Sequence, residues 1–252
     1  MSQSSGIRRP SHARTLLEVI RERHSARVPF EPERPIPQPH LARILEAARV
    51  APTAHNMQNF ELIVVDHRPL LAALGAIEQQ VSPAFITENR ALVSHTTAEL
   101  QARKVGILSH NFPASWLTPG HTVPPHERSR KLGLWVESSS ALLVLLFDPS
   151  RRAPGSEGDF LGIMSLGCVL ENMWLEAASL GLGFQVLSAF GDNDAGTQAR
   201  ALLGIPERLR VALAVRLGYP AEAEEHIHIR RDLESFVHHN HYGVGATFLP
   251  DL

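Results

Sequence analysis

Apolar positions along this chain recur with two periods, one helical and one of strands. Leu16, Leu17 and Ile20 predict a first helix over about residues 14–24 with that face turned inward. Leu41, Ile44, Leu45 and Ala48 form a regular stripe that predicts a second helix starting near Gln38 and stopped by Pro52. Between them lies a proline-rich loop with Pro29, Pro32, Pro35 and Pro37. The run 60–65, Phe-Glu-Leu-Ile-Val-Val, reads as a central β-strand, and residues 141–148 as a buried strand. Two further strands are expected at 184–190 and 210–217, with a helix over 195–203 between them.

The middle of the chain reads as helical but broken, with helices over 70–80 and 83–102 and a loop over 111–125. A loop of that length suggests a lid or an inserted excursion, with Phe112 and Trp116 on it. Residues 158–180 read as a long helix whose Gly162, Ser165 and Gly167 permit another backbone to come close. Residues 230–239 close the chain as a short helix or strand-flanking segment. Residues 1–13 read as a flexible N-terminus. The order of elements predicts an α+β fold, helices around a mainly antiparallel sheet, in a single domain over 14–252 with a variable, lid-like region at 75–135.

Two clusters carry candidate chemistry. In Arg23-His24-Ser25-Ala26-Arg27 the apolar stripe of the first helix, extended by one turn, directs Arg23 inward, where a guanidinium needs an anion. Ser25 and Arg27 add a hydroxyl and a second forked donor suited to phosphate. The same arginines would also complement the negative end of the helix dipole. In the segment from Ala51 to Phe60, the side-chain amides of Asn56, Gln58 and Asn59 present donors and acceptors of the kind that a pyrimidine-like ring edge requires. Asn and Pro favour turns on their own account as well.

Taken together, Arg-His-Ser-x-Arg, the proline-rich loop, a helix ending Ala-Arg-x-Ala-Pro-Thr and then Asn-x-Gln before a strand resemble the nitroreductase family. Asn172 in a helix that closes on Gly181-Leu182-Gly183, the segment Leu217-Gly218-Tyr219-Pro220 and the basic Arg230-Arg231-Asp232-Leu233 extend the resemblance to about residue 242. It implies a homodimer with FMN at its interface. Arg23, His24, Ser25 and Arg27 would grip the phosphate and ribityl chain, and Arg230 or Arg231 would close on the phosphate. Pro52, Thr53 and Ala54 would approach the flavin from the partner subunit, with Asn56 and Gln58 shaping that loop. Ser165 would sit near the ring, Val186, Leu187, Ser188 and Ala189 would lie along it, and the backbone N–H of Ala189 would point toward flavin N5. The implied activity passes hydride from NADH or NADPH through N5 to a nitroaromatic, quinone or similar small-molecule acceptor in a ping-pong exchange, with no catalytic acid–base side chain. Dehalogenation, flavin fragmentation, dehydrogenation and non-catalytic flavin binding are the alternatives. The sequence departs from the family pattern at Asn59 and Phe60, where Pro and Trp are usual, at Ser188, where an acid is common, and at Ala189, where Gly is.

Composition narrows the classes. Lys and Arg number 24 against 26 Asp and Glu, a balance unsuited to a general nucleic-acid binder. The single Cys168 excludes an internal disulfide framework and reads as a core residue of a cytoplasmic protein. No secretory h-region stands in residues 1–13, and the run 141–147 is too short to span a bilayer, so no membrane partner is expected. His226, His228, His238, His239 and His241 are close enough in sequence for a metal cluster. No Cys pairs with them, no HExxH occurs and adjacent histidines in an extended segment point to opposite faces, so they are expected to pack or to face solvent. Ser138-Ser139-Ser140 lacks the glycine context of a hydrolase nucleophile.

Overall fold

The computed structural model describes residues 14–93, 95–104, 114–156, 158–191, 193–223 and 228–249, without the side chains of 91–93, 134 and 193. In chain order the elements are α1 (Leu16–Glu22), α2 (Gln38–Arg49), β1 (Phe60–Val65), α3 (Arg68–Gly75), β2 (Glu78–Gln80), α4 (Pro83–Val93), α5 (Thr97–Arg103) and α6 (Ala114–Leu117). They continue with β3 (Ser129–Lys131), α7 (Leu134–Glu137), β4 (Ala141–Phe147), α8 (Phe160–Ser179), β5 (Gly183–Leu187), α9 (Asn193–Leu203) and β6 (Arg210–Gly218). By internal contacts the chain forms two compact units, Met1–Gln79 with Arg130–Glu224, and Gln80–Ser129 with Glu225–Leu252.

The first unit is built on a four-stranded sheet in the order β1-β4-β6-β5. Every pairing is antiparallel, with Phe60 opposite Phe147, Ala141 opposite Leu217 and Gly183 opposite Gly218. Strand β4 reads as an unbroken apolar run because both its faces are covered. Leu142, Val144 and Leu146 join Leu71 and Leu74 of α3 and Ala195 and Ala199 of α9 on one face. Leu143 and Leu145 join Ile44 and Ala48 of α2 and Leu166, Val169, Met173 and Ala177 of α8 on the other. The expected α+β layout is therefore present as helices over both faces of an antiparallel sheet. Residues 60–65 do form a strand, but at the sheet edge rather than its centre, which the continuously buried β4 occupies.

Other differences are local. Helix α1 is shorter than expected, running from a Thr15–Glu18 capping box to Glu22. The Thr15 backbone N–H holds the Glu18 carboxyl below its usual range. Residues 78–80 form a strand instead of continuing a helix, and β2 pairs with β3 in a two-stranded sheet. The segment 83–102 is two helices, α4 and α5, the second with its own capping box at Thr96 and Glu99. Helix α8 is also, by length and composition, the one described helix apolar enough to cross a membrane, a test the run 141–147 fails. Its row Leu166, Val169, Met173 and Ala177 is buried against the sheet.

The second unit has a small core of Val81, Ile86, Trp116 and Val123. Arg90 of α4 donates to the carbonyls of Trp116, at 3.0 and 2.6 Å, and His121, at 3.0 Å. Lys104 meets Asp232 at 3.3 Å. Trp116 stands on α6, within what reads as a loop, and is only 3% exposed, so it is a core residue of this unit. Phe112 lies outside the described residues. Trp116→Ala should therefore lower stability to urea by about 3–5 kcal/mol, the usual cost of deleting a buried aromatic; an unchanged unfolding midpoint with an altered acceptor preference would return Trp116 to a lid role.

Candidate functional site

The segment after α1 is fastened to the first unit from two sides. Arg23 leaves the helix as its C-terminal cap, and its Nε lies 3.1 Å from Oε1 of Glu171 on α8. The guanidinium carbon sits 4.4 Å from the centre of the Trp174 ring. Trp174 also donates from Nε1 to the His24 carbonyl at 3.1 Å and stacks on Phe184 with centroids 5.0 Å apart. The expected inward stripe is not the buried face of α1: Leu16, Leu17 and Ile20 are 67%, 53% and 39% exposed, and Val19 packs inside instead. Arg23 is thus not carried into the core by that stripe; it is held at the surface of α8 by a carboxylate and an indole.

On the other side, the Ala26 N–H donates to Phe184 O of β5 at 2.9 Å, Glu31 N–H to Tyr219 O at 2.9 Å and Ala221 N–H to Pro29 O at 2.9 Å, while Phe30 bridges Pro220. Beneath this stretch lies Arg216 of β6, completely buried. It donates to Gln185 Oε1 and Val28 O at 3.0 Å each and to Ser138 Oγ at 3.4 Å, with its guanidinium carbon 3.7 Å from the Phe30 ring centre. Ser140 donates to Glu31 O and so serves the same fastening, while Ser139 donates to Trp135 O within its own segment. Arg216 escapes a reading of motifs. Its signal is a lone charge inside the apolar run Val-Ala-Leu-Ala-Val-Arg-Leu-Gly.

Phe30 also explains two of the family glycines. A Cβ on Gly183 would stand 2.7 Å from its ring, and one on Gly218 2.6 Å, so the paired ends of β5 and β6 admit no side chain. The third, Gly181, takes φ +72° as the chain turns out of α8.

Strand β5 ends at Leu187, sooner than the expected 184–190, and a 3-10 turn runs Ser188–Gly191. Val186, Leu187 and Ala189 are half-buried and Ser188 is exposed, while Phe190 returns to the core. Ser25 and Arg27, both half-buried, lie on either side of Ala26 and so adjoin the same strand.

The loop between α2 and β1 forms a second locus. Pro52 is exposed, and the Ala54 N–H donates at 3.0 Å to Oγ of Ser165, which donates in turn to Leu161 O. Gln58 N–H binds Thr53 Oγ1, and Gln58 Nε2 binds Asn56 Oδ1, both at 3.1 Å. His55, Asn56 and Gln58 all take positive φ, at 50°, 53° and 45°. Three non-glycine residues in that region within four positions store backbone strain, which concentrates at functional sites. Asn59 is buried, and its Nδ2 lies 3.2 Å from where a Cβ on Gly162 would stand; Gly167 faces open space. Asn172 donates to Ala47 O at 3.1 Å and ties α8 to α2.

The structure therefore joins Arg23, His24, Ser25 and Arg27 to the strand that carries Val186 and Leu187, and joins Pro52–Gln58 to Ser165. Arg230 and Arg231 belong to the second unit, both exposed, with Arg231 over Phe236 at 5.1 Å. In the same unit His238 packs on Tyr242 and His239 on Phe248, while His226 lies outside the described residues. Among the described residues no group of three His, Cys, Asp or Glu could hold a metal.

Comparison with known proteins gives one answer. The model of the "Nitroreductase family" matches residues 20–219. An NADPH-flavin oxidoreductase of Vibrio harveyi is 32% identical over 116 residues, which is 43% of this chain and 47% of that protein. A protein of Archaeoglobus fulgidus named for NADH dehydrogenase and NAD(P)H nitroreductase is 26% identical over 209 residues, 83% of this chain and 87% of that one. The fold matches the solved nitroreductase with bound FMN from Bacteroides fragilis at a TM-score of 0.55, with 19% identity, over 89% of this chain and 98% of that one.

If Phe30 is what forbids a side chain at Gly183, then Gly183→Ala should cost roughly 1–3 kcal/mol in urea unfolding, as overpacking does. The cost should shrink in a Phe30→Ala background. Equal costs in both backgrounds would remove Phe30 as the cause.

Proposed function

The chain belongs to the nitroreductase family and is an oxidoreductase that works with FMN and NAD(P)H, and we propose that it reduces a nitroaromatic, quinone or similar small acceptor as a homodimer with two flavin sites at its interface. The observation that carries this reading is the bond from Ala26 N–H to Phe184 O, which sets a donor-rich segment beside the strand whose end stays accessible. The donor set suits FMN: two forked guanidiniums and a hydroxyl for a phosphate, then half-buried Val186, Leu187 and Ala189 for a flat apolar ring.

Arg23, Ser25 and Arg27, with His24 beside them, would hold the phosphate and ribityl chain. Val186 to Ala189 would line the ring, the Ala189 N–H supplying a fixed donor beside it. Pro52, Thr53 and Ala54 would come from the partner subunit, their loop held in its strained form by Ser165, Asn56 and Gln58. Bound there, FMN supplies hydride transfer between nicotinamide and acceptor. The protein would bind, orient and exclude water, and no side chain would need to move a proton. Nicotinamide and acceptor would share one opening, which dictates ping-pong exchange.

The dimer reading rests on the outward row of α8. Phe160, Ile163 and Met164 are 68%, 59% and 53% exposed, and Gly167 beside them faces open space. A contiguous apolar row of this kind suits a second copy. A cytoplasmic setting suits the single Cys168.

The decisive experiment is the visible spectrum of the purified protein under anaerobic conditions. It should be yellow, bleach on addition of NADH or NADPH, and regain colour with a quinone, with parallel double-reciprocal plots in steady state. Flavin that neither nicotinamide reduces, or converging plots, would contradict the reading. Separately, Ile163→Glu should turn a dimer into a monomer in sedimentation and release FMN with it; a dimer unaffected by that change would place the interface elsewhere.

A further inference from the structure

We propose that Glu171 and Trp174 are positioning residues that aim Arg23 at the flavin phosphate; this rests on the FMN reading given above. The two stand three residues apart on α8 and so share one helical face. That face meets the chain where it leaves α1. The Glu171 carboxylate engages Arg23 at Nε, 3.1 Å away, so this contact falls on the stem side of the guanidinium. The terminal fork, Nη1 and Nη2, is the part whose geometry matches two phosphate oxygens. The Trp174 ring lies against the same guanidinium at 4.4 Å, and its Nε1–H fixes the next carbonyl, that of His24, at 3.1 Å. Trp174 is itself fixed by stacking on Phe184, the residue whose carbonyl holds Ala26. Arg23 is thus clamped at its guanidinium, while the backbone on its C-terminal side is clamped at residues 24 and 26.

An arginine side chain left free would lose rotamer freedom on meeting a phosphate. One already clamped has lost that freedom in folding, and the anion gains from it. Glu171 also carries an opposing charge, but it is half-exposed and therefore screened. Orientation and charge separate in Glu171→Gln, which keeps the shape of the side chain beside Nε and removes its charge.

The test is a fluorescence titration of the flavin-free protein with FMN and with riboflavin, which lacks the phosphate. The unaltered protein should prefer FMN. Glu171→Ala should weaken FMN about five- to tenfold and riboflavin less than about twofold. Glu171→Gln should keep the FMN affinity of the unaltered protein. Trp174→Leu should show the same selective loss as Glu171→Ala. The proposal is overturned if Glu171→Ala leaves FMN affinity intact, if it weakens both flavins equally, or if Glu171→Gln loses as much as Glu171→Ala. An unaltered protein that binds FMN and riboflavin equally well would instead overturn the phosphate role of Arg23, and this inference with it.

Discussion

The stretch from Ala26 to Glu31 lies across the ends of β5 and β6, and the site depends on its being fixed there. Three kinds of contact hold it: backbone bonds from Ala26 and Glu31, the Arg216 guanidinium beneath Val28, and the Phe30 ring in a recess that two glycines leave open. A fully buried cation is costly unless its donors are used. Arg216 donates from Nη1 and Nη2 to Gln185, Val28 and Ser138, one partner each from β5, the N-terminal stretch and the turn after α7. The donor-rich residues before Ala26 inherit their place beside β5 from this arrangement.

Helix α8 shows why a helix can be apolar on most sides without being a core helix throughout. One row, Leu166, Val169, Met173 and Ala177, packs on the sheet. A second, Glu171 and Trp174, meets Arg23 and His24. Ser165 and Asn172 reach Ala54 and Ala47 on the α2 side, and Phe160, Ile163 and Met164 face outward. One rigid element thereby references both loci to the same sheet.

Elements with long, regular periods are legible in the sequence: α2, β4, α8 and β6 fall within a few residues of their expected bounds because burial of one face or two dictates each residue. What is lost is information that only partners supply. The apolar run 60–65 looks central by itself, and only the more apolar β4 displaces it to an edge. The polar triplets of β2 and β3 carry no alternation to read. The face of α1 is misread because Leu16, Leu17 and Ile20 outnumber Val19, which alone finds the core of this chain. At the site, the residues that belong to a motif are legible by resemblance, whereas Arg216 and Phe30 are not, since their work is tertiary. Glu171 and Trp174 stand inside a recognised segment, yet their role shows only when α8 is seen against the chain leaving α1.

The most direct measurement is a crystal structure of the protein grown with FMN. The account predicts the phosphate within hydrogen-bond distance of Arg23 and Arg27, with the ring lying along Val186 to Ala189 and covered by residues 52–54 of a second copy. Density that places the phosphate away from both arginines, or a flavin enclosed by one chain alone, would contradict it.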